Sequence, residues 1–228
     1  MTGKMQLINE GYTSAWLKWH LFRKFRRRRG DLYQGALLRL RHLLATLPRK
    51  SLVIDCGANV GKVTRYFVEH GMKVIAFEPD PVARSRLLVE FSAHPDVLIE
   101  AKAVGCEDGV MPFYQLPDLK SGGIEQTESS SIVQRNVHAA EPIGRVDVID
   151  IAAYIQALSE PVRILKLDIE GSEADVLERL IESEVYRTID LILVETHDRF
   201  SDSLAFRLQA IRKKIVNHRI RNINLDWR

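Results

Sequence analysis

Four apolar runs in the sequence end in polar side chains that suit proton transfer and the binding of hydroxyl or ammonium groups. The runs are LVIDC, VIAFEPD, RILKLDIEG and LILVETH, and the side chains are Asp55, Glu78, Asp168, Glu170, Glu195 and His197. Carboxylates accept hydrogen bonds from hydroxyl and ammonium groups, and a carboxylate or an imidazole can take a proton from a reacting group. A single acid at such a place is often a helix cap. Four such segments in one chain predict a shared polar site.

The turn that follows the first run constrains the ligand. It reads DCGANVG and contains Gly57, Asn59 and Gly61. Glycines let backbone approach a ligand where a Cβ would collide. The dinucleotide fingerprint is G-x-G-x-x-G, whereas here Asn59 replaces the middle glycine and Asp55 precedes the turn. This acid would repel a pyrophosphate and attract an ammonium group. The turn therefore predicts a nucleoside with a cationic amino group, and S-adenosylmethionine fits this description.

A second acid supports a nucleoside ligand. Glu78 ends the next apolar run, 23 residues after Asp55. A carboxylate at this spacing suits the two ribose hydroxyls, a use that is shared with NAD enzymes.

The elements that position these residues alternate between short apolar strands and amphipathic helices. The predicted strands are Leu52–Asp55, Lys73–Phe77, Val97–Ala101, Val110–Tyr114, Arg163–Leu167, Leu191–Glu195 and Ile220–Trp227. The predicted helices are Leu32–Thr46, Lys62–His70, Pro81–Ser92, Ile149–Leu158, Ser172–Glu184 and Leu204–Ile215. This alternation predicts an α/β fold with a parallel sheet covered on both faces, whose ligand lies beyond the carboxyl ends of the strands. Residues 116–144 are predicted to be one long loop.

Charge is distributed unevenly along the chain. Residues 1–50 hold 12 Lys and Arg against two acids, although the net charge of all 228 residues is only +3. Within this region, Trp16–Arg29 has the pattern of a basic amphipathic helix that would suit an anionic membrane surface. The alternative is that its aromatic stripe packs on the body of the protein, with the arginines in water.

Composition and cysteine usage favour a cytoplasmic globular protein. Hydrophobic residues make up 46% of the chain and charged residues 28%, which is an ordinary globular balance. Cys56 and Cys106 have neither the number nor the spacing of a disulfide framework or a zinc site. No apolar run approaches the ~20 residues of a membrane span.

The four motifs together resemble the FkbM family of S-adenosylmethionine-dependent methyltransferases. The segments that carry the resemblance are DCGANVG, AFEPD, KLDIEGSE and E-T-H, with AKAVG between the second and the third. The resemblance implies a class I (Rossmann-like) methyltransferase domain over residues 48–228, with a mostly parallel, doubly wound sheet. Residues 1–47 would then be a basic N-terminal helical extension. The domain usually ends in two strands after the fifth, whereas this chain has room for one helix and one strand.

The resemblance also implies the cofactor, the reaction and the roles of residues. The cofactor would be S-adenosylmethionine, and the acceptor a hydroxyl of a sugar, glycolipid or secondary metabolite. The implied cofactor-binding residues are Asp55, Gly57, Asn59, Gly61, Glu78, Ala103 and Asp168. The candidate catalytic residues are Asp168, Glu170, Glu195 and His197, with Asp168 or Glu170 preferred as the group nearest to the methyl and His197 next.

Three alternatives remain open from the sequence. An NAD-dependent oxidoreductase would use the same fold, although the missing middle glycine argues against it. A nucleic-acid-directed methyltransferase would use the basic N-terminal region, although no Asn/Asp-Pro-Pro-Tyr/Phe motif for base amines is present. Finally, the paired carboxylates with a histidine could hold a divalent cation, but nothing in the sequence fixes a ligand count, so no metal ligand is assigned.

Overall fold

The protein is an α/β structure built on a parallel sheet. The computed structural model describes residues 30–114, 131–132 and 142–228. The strands are β1 (Leu52–Cys56), β2 (Lys73–Phe77), β3 (Val97–Glu100), β4 (Ala103–Gly105), β5 (Gly109–Phe113), β6 (Gly144–Asp150), β7 (Val162–Leu167), β8 (Leu191–Glu195) and β9 (Ile223–Trp227). The helices are α1 (residues 30–46), α2 (Lys62–Glu69), α3 (Pro81–Phe91), α4 (Ile151–Ala157), α5 (Glu173–Glu182) and α6 (Asp202–Asn217), with 3₁₀ turns at Val185–Thr188 and Asp198–Phe200.

The main sheet has six strands in the order β3-β2-β1-β7-β8-β9, and every pairing in it is parallel. The order reverses between β1 and β7, so the carboxyl ends of these two strands form the crevice in which open α/β sheets bind ligands. A smaller sheet, β4-β6-β5, combines one parallel and one antiparallel pairing.

Helices cover both faces of the main sheet. On one face, Ile155 of α4, Leu177 of α5 and Leu208 of α6 pack with Ile54. On the other face, α1, α2 and α3 contribute Leu40, Phe67 and Leu87, which pack with Val53. Neighbouring residues of β1 thus face opposite layers, as the two-residue period of a strand requires. The predicted doubly wound fold is confirmed.

The predicted helix Leu32–Thr46 is also confirmed, as α1. Its Ala36, Leu40 and Leu44 are buried in the layer that covers the sheet, and Tyr33 lies against Trp227 with ring centroids 5.7 Å apart. The predicted boundary between residues 47 and 48 stays a prediction. The segment Trp16–Arg29 lies outside the described residues. No helix in the described part of the chain is long and apolar enough to cross a membrane.

The prediction failed in the region before α4. Residues 144–150 form strand β6, whereas the sequence predicts a loop that ends at residue 144 and a helix that begins at Ile149. The helix begins later because Asp150 is its N-cap, accepting hydrogen bonds from Ala152 N and Ala153 N. Most of the predicted loop, residues 116–130 and 133–141, lies outside the described residues, but Ser131 forms a bridge with Tyr114.

The glycines of the first turn are required by contacts within the protein. A Cβ on Gly57 would lie 1.9 Å from the carbonyl oxygen of Asp168, and Gly57 has φ +74°. A Cβ on Gly61 would lie 2.7 Å from Phe91 Cε2 and 2.8 Å from Leu87 Cδ1, with φ +90°. The missing side chains thus make room for the segment that follows β7 and for α3, and the role of these glycines toward a ligand stays a prediction.

A buried ion pair joins β1 to β7. Asp55 and Lys166 are both buried, and the Lys166 ammonium lies 3.2 Å from Asp55 Oδ1. The same ammonium donates to the carbonyl oxygens of Cys56 and Gly57 at 3.3 and 2.8 Å. Thr64 of α2 donates its hydroxyl proton to Asp55 Oδ2 at 2.7 Å. These contacts hold the glycine turn against the end of β7.

Replacing Gly61 by alanine should destabilise the fold by about 1–3 kcal/mol, because the methyl overpacks the buried Leu87 and Phe91 and φ +90° is unfavourable for an L-residue. The matched control is Gly35→Ala in α1, where an added Cβ meets no atom within 4 Å. It should stabilise by about 0.5–1 kcal/mol. Urea unfolding of both variants measures the difference, and equal effects would contradict the packing argument.

Breaking the buried ion pair from one side should cost about 3–5 kcal/mol of unfolding free energy, because an unpaired charge is left in the interior. Asp55→Asn and Lys166→Met are the two single changes. The double variant should lose clearly less than the sum of the single losses, since neither charge remains. Additive losses in chemical denaturation would show that the two groups do not stabilise each other.

Candidate active site

A cleft of about 470 Å³ opens at the carboxyl ends of the main sheet's strands. Pockets for small molecules have volumes of ≈ 300–1,000 Å³. The predicted site residues that line it are Gly57, Asn59, Glu78, Ala103, Asp168, Glu170 and Glu195. The structure therefore brings residues from β1, β2, β4, β7 and β8 to one cavity, as their positions after successive strands predicted.

Three predicted site residues are not part of the lining. Asp55 is fully buried beneath the cleft, and its carboxylate contacts Lys166 and Thr64. Gly61 faces α3, and His197 lies below the cleft surface with 1% of its side chain exposed. The expectation that Asp55 faces the ligand's ammonium group is therefore corrected. A position after a strand brings a residue to the sheet edge, but it does not determine which way the side chain points.

Glu78 is held by the backbone at the end of β2. Its Oε2 accepts Asn59 N–H at 2.7 Å, and its Oε1 accepts Asp80 N–H at 2.8 Å. Burial raises the pKa of Glu78 to about 7, although both of these N–H groups oppose the shift. A carboxylate oxygen has two acceptor lone pairs, so Glu78 retains acceptor capacity toward the cleft.

Asn59 connects the glycine turn to Glu78. It adopts φ +51°, in the left-handed region that Asn tolerates better than most residues. Its main-chain N–H is thereby directed to the Glu78 carboxylate. Asn59 thus both lines the cleft and fixes the orientation of the acid.

A second polar group lies at the ends of β7 and β8. His197 Nε2 is 3.4 Å from Glu170 Oε2 and 3.8 Å from Asp168 Oδ1. The side chains of Asp168 and Glu170 are 28% and 17% exposed, so they are open to the cleft. The ligand-type atoms of these three residues all lie within 4.8 Å of one another.

Electrostatics shift the protonation of this group. Burial alone would lower the pKa of His197, but its hydrogen bond to Glu173 and the neighbouring carboxylates outweigh burial and raise it. Burial, and next the charge of Asp168, raise the pKa of Glu195. Burial alone would also lower the pKa of Lys166, but Asp55 and Asp168 raise it above its usual range. Lys166 is therefore a permanent cation in the wall of the cleft.

Two residues that organise this site were not predicted from the sequence. Lys166 was taken as part of an apolar strand, yet a lysine there needs a buried acid as its partner. Glu173 lies within the predicted helix Ser172–Glu184 and was assigned no role. It is fully buried, accepts the N–H groups of Ile169 and Gly171, and lies 2.7 Å from His197 Nδ1. The single lysine within the apolar run RILKL could have indicated that Lys166 is buried with an acidic partner. The Glu173–His197 contact could not be predicted in this way, because it depends on the packing of β7 against β8.

Comparisons with known proteins agree with this architecture. The sequence model of a family described as the methyltransferase FkbM domain matches residues 55–220. The chain is 26% identical over 174 residues to "Methyltransferase 1" of Beauveria bassiana (strain ARSEF 2860), with 70% of each chain covered. It is also 26% identical over 182 residues to "Methyltransferase sdnD" of Sordaria araneosa, which covers 67% of this chain and 69% of that protein.

Similar solved structures include a crystal structure of methyltransferase FkbM from Methylobacillus flagellatus KT. It shares 16% sequence identity and a TM-score of 0.44, and the match covers 74% of this chain and 39% of that chain. The chain thus spans well under half the length of that protein.

The family match includes the polar groups that line the cleft and those that support them. Residues 55–220 begin at Asp55 and extend through Glu78, Lys166, Glu173 and His197. The matched segment is more than half of the chain and extends from the end of β1 through β8 and α6. The chain belongs to the FkbM family of methyltransferases.

Proposed function

We propose that this methyltransferase transfers a methyl group from S-adenosylmethionine to a hydroxyl of a sugar, a glycolipid or a secondary metabolite. The observation that carries the proposal is that one cleft is lined both by Glu78, a carboxylate aligned by two backbone N–H groups, and by the carboxylates of Asp168, Glu170 and Glu195. Glu78 suits the ribose of a nucleoside, and the other three carboxylates suit an acceptor that must lose a proton.

The donor set of the cleft fits S-adenosylmethionine. We assign Glu78 to the ribose hydroxyls, because it ends β2 beside the glycine turn. Asp168 is an acid that a ligand can reach, because its side chain is partly exposed at the cleft whereas that of Asp55 is buried. Asn59 and Ala103 line the same cleft and would contribute contact surface.

Bound S-adenosylmethionine would supply a methyl group on a positively charged sulfur. The protein's own residues must then align the acceptor and accept one proton. Asp168, Glu170 and Glu195 line the cleft, so an acceptor hydroxyl held against them can pass its proton to a carboxylate late in the transfer. His197 lies behind Asp168 and Glu170 and is not part of the cleft lining, so we assign it no direct contact with the acceptor.

The alternatives are less well supported. Membership of a methyltransferase family argues against an NAD-dependent oxidoreductase. Methylation of a nucleic acid, and contact with a membrane, would depend on residues 1–29, which lie outside the described residues. A cytoplasmic location likewise remains a prediction.

Binding of S-adenosylhomocysteine tests the cofactor assignment directly. In calorimetric titration the protein should bind one equivalent, and NAD should give no heat beyond dilution. Glu78→Gln should weaken this binding at least tenfold, since a hydrogen bond to a charged group contributes about 1.5–3 kcal/mol. Glu107→Gln, at an exposed acid outside the cleft lining, is the matched control and should bind normally. Saturable NAD binding without S-adenosylhomocysteine binding would overturn the proposal.

The affinity for S-adenosylhomocysteine should also depend on pH through Glu78. The pKa of Glu78 in the free protein is about 7, so this acid is mostly protonated at pH 6 and mostly ionised at pH 8. The ionised form is the stronger acceptor for ribose hydroxyls. Affinity should therefore rise with pH, by up to about tenfold over this interval. Glu78→Gln should give a flat profile, and a variant that kept the wild-type slope would assign the pH dependence to another group.

A further inference from the structure

We infer that Asp168, Glu170 and His197 form a binding site for a divalent first-row cation, which would hold the hydroxyl of the methyl acceptor. Binding of the cation is independent of the proposed function, whereas its role in catalysis rests on that function. Two oxygen ligands and one imidazole suit cations such as Mn²⁺ and Zn²⁺.

The spacing of the three side chains is close to that of a metal site. With metal–ligand bonds of about 2.0–2.2 Å, neighbouring ligand atoms lie about 3–3.5 Å apart. His197 Nε2 lies 3.4 Å from Glu170 Oε2 and 3.8 Å from Asp168 Oδ1. All three ligand atoms lie within 4.8 Å of one another. Small side-chain rotations of the two partly exposed acids are enough to close the set around an ion.

The orientation of His197 is fixed from behind. Its Nδ1 lies 2.7 Å from Glu173 Oε1. That carboxylate is fully buried, and it already accepts the N–H of Gly171 at 3.1 and 3.0 Å and the N–H of Ile169 at 3.2 Å. Glu173 is therefore an acceptor, and Nδ1 carries the hydrogen. A histidine that donates one ring N–H to a carboxylate and ligates through the other nitrogen is the usual arrangement in metal sites.

The remaining nitrogen of this buried ring is directed at two carboxylates. A neutral imidazole with its hydrogen on Nδ1 presents a lone pair at Nε2, and this lone pair would face Glu170 Oε2 and Asp168 Oδ1. Lone pairs facing one another repel unless a positive charge lies between them. Either a second proton on the ring or a cation satisfies this condition.

Asp168 is oriented as well. Its Oδ2 lies 3.5 Å from the Lys166 ammonium, while its other oxygen, Oδ1, faces His197. Lys166 is itself anchored to Asp55 and to two carbonyl oxygens of the glycine turn. Two of the three ligands thus have buried partners that hold them, which is the pattern of supported metal ligands.

Such a site would leave coordination positions open toward the acceptor. Asp168 and Glu170 line the cleft, and His197 closes the opposite side with 1% exposure. A cation with three protein ligands can bind an acceptor oxygen and lower the pKa of its hydroxyl. The proton would pass to Glu195, which also lines the cleft. The oxygen–methyl bond then forms as the sulfur–methyl bond breaks, and sulfur leaves as the neutral thioether of S-adenosylhomocysteine.

Manganese binding to the full chain tests the site without any methyl acceptor. The protein is treated with a chelator, dialysed and titrated with MnCl₂, and free Mn²⁺ is followed by electron paramagnetic resonance. We expect one equivalent to bind. Glu170→Gln and His197→Gln should each weaken the binding at least tenfold, and Glu107→Gln should bind as wild type does. Glu173→Gln should weaken it by 10–100-fold through loss of the support for His197.

Titration of the same samples with S-adenosylhomocysteine separates the two proposals. If wild type binds S-adenosylhomocysteine but takes up neither Mn²⁺ nor Zn²⁺ at millimolar concentration, the cation site is wrong and a second ring proton is present. Manganese uptake that is unchanged in both Glu170→Gln and His197→Gln also overturns the site. If Mn²⁺ binds as expected and S-adenosylhomocysteine does not, the cation site stands and the proposed cofactor is wrong. Thermal melting shows that each variant is folded.

Discussion

The contacts of the Lys166 ammonium are the interaction on which the ligand-binding edge of the main sheet depends. Lys166 lies in the strand next to β1, with Asp55 at 3.2 Å and Asp168 at 3.5 Å, and it donates to two carbonyl oxygens of the glycine turn. A lysine this deeply buried persists only when its charge is paired and its protons are satisfied. Because Lys166 must keep these partners, the position of the glycine turn, the end of β7 and the orientation of Asp168 are determined together.

The fold was predictable because the sheet is parallel and covered on both faces. Strands in such a sheet are continuous apolar runs, and their ends coincide with turn residues. The strands β1, β2, β3, β7 and β8 were therefore found within one or two residues. Strand β6 was missed because its alternation of Val146 and Val148 with Arg145 and Asp147 is short. It runs directly into α4, and only the capping contacts of Asp150 mark the boundary.

The candidate site was predictable in its membership but not in its geometry. Acids at the ends of parallel strands must meet at one edge, so Glu78, Asp168, Glu170 and Glu195 were found from their positions alone. Side-chain direction was not predictable, since it depends on partners that are distant in sequence. Asp55 faces inward because its carboxylate pairs with the buried ammonium of Lys166, a lysine 111 residues later in the sequence.

One short segment at the end of β7, KLDIEGSE, contacts both neighbouring strands, β1 and β8, and lines the cleft between them. Lys166 and Asp168 are two residues apart and share a face, so one of them reaches Asp55 on β1 while the other opens to the cleft. The chain then reverses at Glu170 and Gly171, with φ values of +56° and +116°. This reversal brings the Glu173 side chain back beneath the segment. There the Glu173 carboxylate accepts the N–H groups of Ile169 and Gly171 and contacts His197, which follows β8. The buried members thus hold the backbone that carries the partly exposed carboxylates of Asp168 and Glu170 between β1 and β8. A substitution at Glu173, which is not part of the cleft lining, therefore changes the cleft without touching a ligand in it.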